Sequence, residues 1–179
     1  TAPATVSSIT SSVDNTAPTV AISAPSASLT KSGPITYTVS YTGASAVTLN
    51  PSDITLNTSG TATGTVSVSG SGTGLRTVTV DNISGDGTIG ISIRAGSAID
   101  TANNNAPAAG PSATFVVDNT PPTITSINVQ GSGPREPDQY ATLDETVNVS
   151  AVVTDAETPV TQLDFRWSSS VAGASRSSP

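Results

Sequence analysis

The sequence predicts an all-β chain of antiparallel β-sandwiches strung in tandem. Three observations predict it. Ser and Thr make up roughly a third of the 179 residues while Leu, Met and Lys are scarce, so strong helix formers are missing and β-compatible Val, Ile and Thr prevail. Apolar residues recur at every second position in short runs separated by Gly, Ser, Asn and Pro clusters, which is the period of a strand with one buried face. Finally, Val13-Asp14-Asn15-Thr16-Ala17-Pro18-Thr19 returns as Val117-Asp118-Asn119-Thr120-Pro121-Pro122-Thr123 at an offset of 104 residues, the length of one sandwich domain.

The elements follow in order. The repeat extends backwards at the same offset: Ala2-Pro3-Ala4 meets Ala106-Pro107-Ala108, Ser8 meets Ser112 and Thr10 meets Thr114. Residues 1–15 are therefore expected to be the last strand of a preceding domain, or a donor strand. Residues 16–119 are expected to form one complete sandwich. Val20 with Ile22 opens it. Ile35, Tyr37, Val39 and Tyr41 share one face of a strand whose other face carries Thr36, Thr38 and Ser40. Val66 with Val68, Val78 with Val80, and Ile89, Ile91 and Ile93 repeat the pattern. Each such Val or Ile contributes about 1.5–3 kcal/mol when buried, so the apolar rows must face a second sheet.

From residue 120 the texture changes, and residues 120–179 are expected to be an incomplete second sandwich. Gly131-Ser132-Gly133-Pro134-Arg135-Glu136-Pro137-Asp138 is a charged, Pro-rich loop, and Val147, Val149 and Ala151 alternate after it. Leu163, Phe165 and Trp167 alternate with Asp164 and Arg166, which places the single tryptophan on an inward face.

Six basic side chains stand against thirteen acidic ones, a net charge of −7 that argues against a nucleic-acid partner. Cysteine and histidine are both absent, so disulfides, zinc sites built on thiolate or imidazole, and Ser-His-Asp or Cys-His nucleophile activation are excluded. No apolar run approaches the ~20 residues needed to span a bilayer. Thr1 to Thr5 lack the basic start of a signal peptide, so an export signal is expected outside this chain.

The remaining chemical motifs each have a plainer structural reading. Ser28-Leu29-Thr30-Lys31 spells S-x-x-K, but that motif requires a helix, and a polar loop is expected instead. Gly85-Asp86-Gly87-Thr88-Ile89-Gly90 spells a dinucleotide fingerprint, yet an alternating strand follows where a helix N-terminus is needed, so a hairpin turn is expected. Lys31, the one lysine, is the only residue that could form a Lys-to-Asn isopeptide crosslink, and its loop position argues against one. Tyr37, Tyr41 and Trp167 could stack on sugars, although their inward spacing favours the core. Asp144-Glu145 and Asp155 with Glu157 lie in short turns without the flanking cleft that glycoside hydrolysis needs.

No cofactor is expected, with calcium as the one candidate. Asp14, Asp100, Asn103 and Asp118 are its candidate ligands where two sandwiches meet, and Asp86, Asn105 and Asp155 are further oxygen donors. The alternative is that these Asp and Asn side chains bond the backbone of their own turns. The joint residues Val13, Asp14, Asn15, Pro18, Val117, Asp118, Asn119, Pro121 and Pro122 are the expected linker and assembly positions, since their prolines stiffen the backbone.

The recurring V-D-N-T-[AP]-P-T joint, Ser32-Gly33-Pro34-Ile35-Thr36-Tyr37-Thr38-Val39, and Gly87-Thr88-Ile89-Gly90-Ile91-Ser92-Ile93 leading to Ala98-Ile99-Asp100-Thr101-Ala102-Asn103-Asn104 carry a resemblance. Over about residues 13–123 the sequence resembles the bacterial Ig-like repeats of large surface and adhesin proteins. That resemblance implies tandem Ig-like sandwiches in an extracellular, cell-surface or secreted protein. It also implies a non-enzymatic structural or adhesive role as a spacer or fibre-forming repeat. Its partners would be neighbouring Ig-like domains, copies of itself in a filament, or a glycan or protein ligand. The segment from Val153 to Ser168 resembles the front of a polycystic-kidney-disease-type or cadherin-like sandwich. Two arrangements would complete the end segments: neighbouring sequence of a longer polypeptide, or donation of residues 1–15 to the open sandwich of another copy. The rival function is an accessory carbohydrate-binding module of a secreted polysaccharide-degrading enzyme.

Overall fold

The structure, a computed structural model, describes residues 11–131 and 147–166, and it divides after Asn119 into two compact units. Of the expected strand over residues 1–15, residues 1–10 lie outside the described residues and residues 11–15 form no strand; the loop from Ser132 to Asp138, the Asp144-Glu145 pair and Trp167 also lie outside the described residues. The described chain is mostly β-strand, and its only helical segments are single 3-10 turns at Pro51–Asp53 and Val160–Gln162.

Ten strands build the first unit: β1 (Thr19–Ile22), β2 (Leu29–Thr30), β3 (Ile35–Thr42), β4 (Ala46–Val47), β5 (Ile54–Thr58), β6 (Thr63–Ser69), β7 (Leu75–Ser84), β8 (Gly87–Ile93), β9 (Ala98–Ile99) and β10 (Phe115–Val117). They form two four-stranded sheets, β1-β3-β7-β6 and β2-β10-β8-β5, with β4 and β9 paired as a separate clip. Every pair is antiparallel except β10 with β2, which runs parallel through Val116↔Leu29 and Val117↔Thr30. The opening segment thus serves both sheets. β1 pairs with β3, and after Ser23 to Ser28 the chain reaches β2 beside β10. The S-x-x-K segment is correspondingly a short strand at Leu29–Thr30, where a loop was expected.

Strict alternation in β3 produces the core. Ile35, Tyr37, Val39 and Tyr41 are buried, while the residues between them stay half-buried or exposed. Val78 and Val80 join them from β7, and Ile89, Ile91, Ile93, Phe115 and Val117 face them from β8 and β10. The Tyr37 and Phe115 rings meet at 6.5 Å with planes tilted by 42°. The Tyr37 hydroxyl keeps a polar partner inside this layer by donating to the Ala113 carbonyl at 3.0 Å.

β7 contains a device that alternation alone does not predict. Its register against β6 shifts between Thr63↔Ser84 and Thr65↔Asp81, leaving an extra residue on β7, and Asn82 there adopts φ 50°. One inserted residue moves the in/out pattern by one position. Ile83 therefore turns into the core at 5% exposure, and Asn82 faces solvent. The β7–β8 hairpin then closes at Gly85 and Asp86. A side chain at Gly85 would collide with the Thr61 carbonyl, and Gly85 has φ 81°, so only glycine fits. The Gly-rich motif is a tight turn that receives the β5–β6 loop.

The second unit, from Thr120, contains the antiparallel pair β11 (Thr123–Gly131) and β12 (Val147–Thr154). After β12 the Asp155 carboxylate accepts the Thr158 N–H at 2.7 Å, making a local turn. The chain then runs through the 3-10 turn to Leu163–Arg166.

Candidate functional site: the joint residues at the two poles

The strand registers assign the joint residues of the first unit to opposite ends. Thr19 pairs with Thr42 and Ala46 with Ile99, so the entering chain lies at the pole that holds the β3–β4 and β8–β10 connections. Val117 pairs with Gly87, so the departing chain lies at the pole that holds the β7–β8 turn. The seven residues of β8 separate the two, about 20 Å at ~3.3 Å per residue.

Asp100 organises the entry pole. Its Oδ1 accepts the backbone N–H groups of Ala102 and Asn104, both at 2.8 Å, and its Oδ2 accepts the Asn104 side-chain amide at 2.8 Å. Asn103, at φ 65°, supplies the left-handed step that folds this loop back. The Asn104 amide holds the Asp100 carboxyl below the ordinary carboxylate range, with the two backbone donors adding to it and burial opposing. The same Asn104 Nδ2 donates to the Asp14 carbonyl at 2.9 Å, which ties the incoming joint to the loop. Asp14 Oδ1 accepts the Thr16 N–H at 2.9 Å, Asn15 is exposed, and Pro18 is buried.

Asn119 is the corresponding anchor at the exit pole. Its side-chain amide donates to the Gly85 carbonyl at 2.8 Å and the Lys31 carbonyl at 3.0 Å, and its backbone N–H donates to Asp86 Oδ1 at 2.6 Å. Asp118 bonds through its N–H to the Thr30 carbonyl at 3.0 Å, extending the β2–β10 pairing by one step. Val117 is fully buried, and Pro121 and Pro122 are exposed.

The four candidate calcium ligands are therefore not gathered. Asp14, Asp100 and Asn103 share the entry pole, while Asp118 sits a strand length away. At Asp100 three N–H groups point at the carboxylate, an arrangement that stabilises the anion and builds the local turn. Of the sugar-stacking candidates, Tyr37 and Tyr41 are in the core, with the Tyr41 hydroxyl donating to Ser97 Oγ at 3.0 Å.

No family model, curated protein or solved structure matches this chain.

Two contributors were not singled out in the sequence. Asn104 acts on a residue 90 positions away, so no local motif exposes it. Asp53, 4% exposed, accepts from Arg94 at 2.6 Å and from the Asn50 N–H at 2.9 Å across the β4–β5 turn. Burial alone would raise the Asp53 carboxyl, but the Asn50 N–H and the Arg94 guanidinium outweigh it and hold the group below its ordinary range. Asp53, closing the 3-10 turn three residues after Asn50, was the available signal, as a capping pair.

Proposed function

We propose that the chain is a non-enzymatic structural or adhesive segment of an extracellular bacterial surface protein or filament, built from tandem Ig-like β-sandwiches and acting as a spacer or fibre-forming repeat. The opposite polarity of entry and exit in the first unit carries this reading. A unit strung by opposite poles lengthens a protein by its own long axis at every repeat. The recurrence of the joint after 104 residues supports the same view. So does the filled layer between the sheets, where Tyr37, Ile89, Ile91 and Phe115 are fully buried. Placement outside the cell rests on the sequence resemblance.

Assembly with copies of itself belongs to this reading. Val13 is 83% exposed whereas its repeat equivalent, Val117, is fully buried, which supports a strand around Val13 made to pack in a domain other than the one that follows it.

Pulling the whole chain between its ends by optical tweezers tests the mechanical role. The first unit should open in one cooperative event that releases on the order of 300 Å of chain, from the reach of extended polypeptide. Gradual lengthening without a discrete event would count against a load-bearing spacer.

A further inference from the structure

Val13-Asp14-Asn15 and Val117-Asp118-Asn119 are identical in sequence, and the first unit holds one copy at each pole. It therefore shows how the same tripeptide is held by a domain that precedes it and by a domain that follows it. As the leaving joint, the tripeptide is gripped from behind. Val117 is buried between the sheets, and the Asp118 N–H donates to the Thr30 carbonyl at 3.0 Å. The Asn119 N–H donates to Asp86 Oδ1 at 2.6 Å, and its side-chain amide donates to the Gly85 and Lys31 carbonyls at 2.8 and 3.0 Å. As the entering joint, it is gripped from the front and through other atoms. The Asp14 carbonyl accepts from Asn104 Nδ2 at 2.9 Å, and Asp14 Oδ1 accepts the Thr16 N–H at 2.9 Å. Pro18, a little further on, is buried in the unit with its φ fixed by the ring.

The two sets of contacts do not compete. A domain behind the joint uses the valine side chain, the aspartate N–H and the N–H groups of the asparagine. A domain in front uses the aspartate carbonyl and carboxylate. No atom is claimed twice, so a single tripeptide can satisfy both sets at the same time. Among the described residues, none bonds the Asp14 N–H or the Asn15 side chain, the groups that the leaving copy gives to the unit behind it.

We infer that Val13-Asp14-Asn15 is a two-sided lock: it seats in the exit pole of a preceding unit of the same kind while Asn104 holds its carbonyl from the front. The angle between the two units is thereby fixed. This rests on the reading of the chain as a tandem repeat and adds what holds successive repeats in line. The fit asks for a definite partner chemistry. The preceding unit must offer a glycine-flanked hairpin with an acid at its tip, as Gly85-Asp86-Gly87 does here, where a side chain at either glycine would collide with the Thr61 or Ser59 carbonyl. It must also offer a buried place for valine on its last strand, as β10 does for Val117. Domains joined by a short linker move relative to one another by default. Here the linker itself is held on both flanks, which removes that freedom.

The test repeats residues 16–119 once in tandem within the full chain, which recreates the joint in its own sequence because the two tripeptides are identical. Cysteine is absent, so S67C in each copy, on the exposed edge strand β6, takes one spin label apiece, and double electron–electron resonance reads the distance between them. A single narrow distance distribution is expected. Two glycines inserted between Asn119 and the Thr16 that then follows it leave the strands of both copies whole, and should broaden the distribution about twofold or more. N119A in the first copy and N104A in the second each remove one side of the grip and should broaden it as well, whereas T38V, exposed on β3, should not. Two folded copies with a broad distribution across the unaltered joint overturn the inference and leave the tandem reading standing. An inserted chain as narrow as the parent does the same. Copies that fail to fold in tandem, seen as loss of the near-ultraviolet circular dichroism signal, overturn both.

Discussion

Asn104 shows how much one side chain can organise at this size. Its amide bonds both the Asp100 carboxylate and the Asp14 carbonyl, so one residue fixes a loop and anchors the chain entering it. Asn104→Ala should lower unfolding free energy by about 1–3 kcal/mol, the cost of leaving charged and backbone partners unmet, as read by urea denaturation. Acidity provides a second check. Asp53 and Asp100 both have folded-state pKa values below their ordinary ones. Depressed carboxyls bind fewer protons folded than unfolded, so their contribution is fully present above the unfolded value near pH 4 and is lost as pH falls through the folded values. Melting temperature should therefore hold steady from pH 7 to about 5 and drop below about 4, and Asp100→Asn should make that drop shallower.

At the scale of elements, the sequence makes regular strands legible and leaves interruptions obscure. Alternation in β3 and β8 identifies Tyr37, Val39, Ile89, Ile91 and Ile93 directly, because the period of two maps each apolar residue to one face. The two-residue strands β2, β4 and β9 are too short to show any period, and their pairing depends on partners distant in sequence. The bulges at Asn82 and Thr125 are hidden for a related reason: each reverses the alternation that would reveal it. Among the joint residues, the Asp, Asn and Pro pattern marks the positions, but which carbonyl each amide reaches depends on the closed fold. Two substitutions separate these effects. Ile91→Ala should cost about 2–5 kcal/mol by thermal or chemical unfolding, as a large-to-small change at a fully buried site. Deletion of Asn82 should regularise β7 while leaving Ile83 inward, two positions after Val80, so urea denaturation should show a change of no more than about 1 kcal/mol.

For the whole molecule, the parallel contact between β2 and β10 governs more than the layout of one sheet. It joins Leu29 and Thr30 to Val116 and Val117, nearly the full span of the first unit, and β10 also supplies the buried Phe115 and Val117. Contacts between residues so far apart in sequence form late and slow the search for the native state. A polypeptide emerging N-terminus first, from a ribosome or across a membrane, would hold β8 with a bare edge and an unfilled cavity until residue 117 had followed. A chain ending at Ser112 should accordingly stay unfolded by near-ultraviolet circular dichroism, although it retains nine of the ten strands of the first unit. Each unit of this kind then becomes compact only at its final step, which leaves the chain threadable until its last few residues arrive.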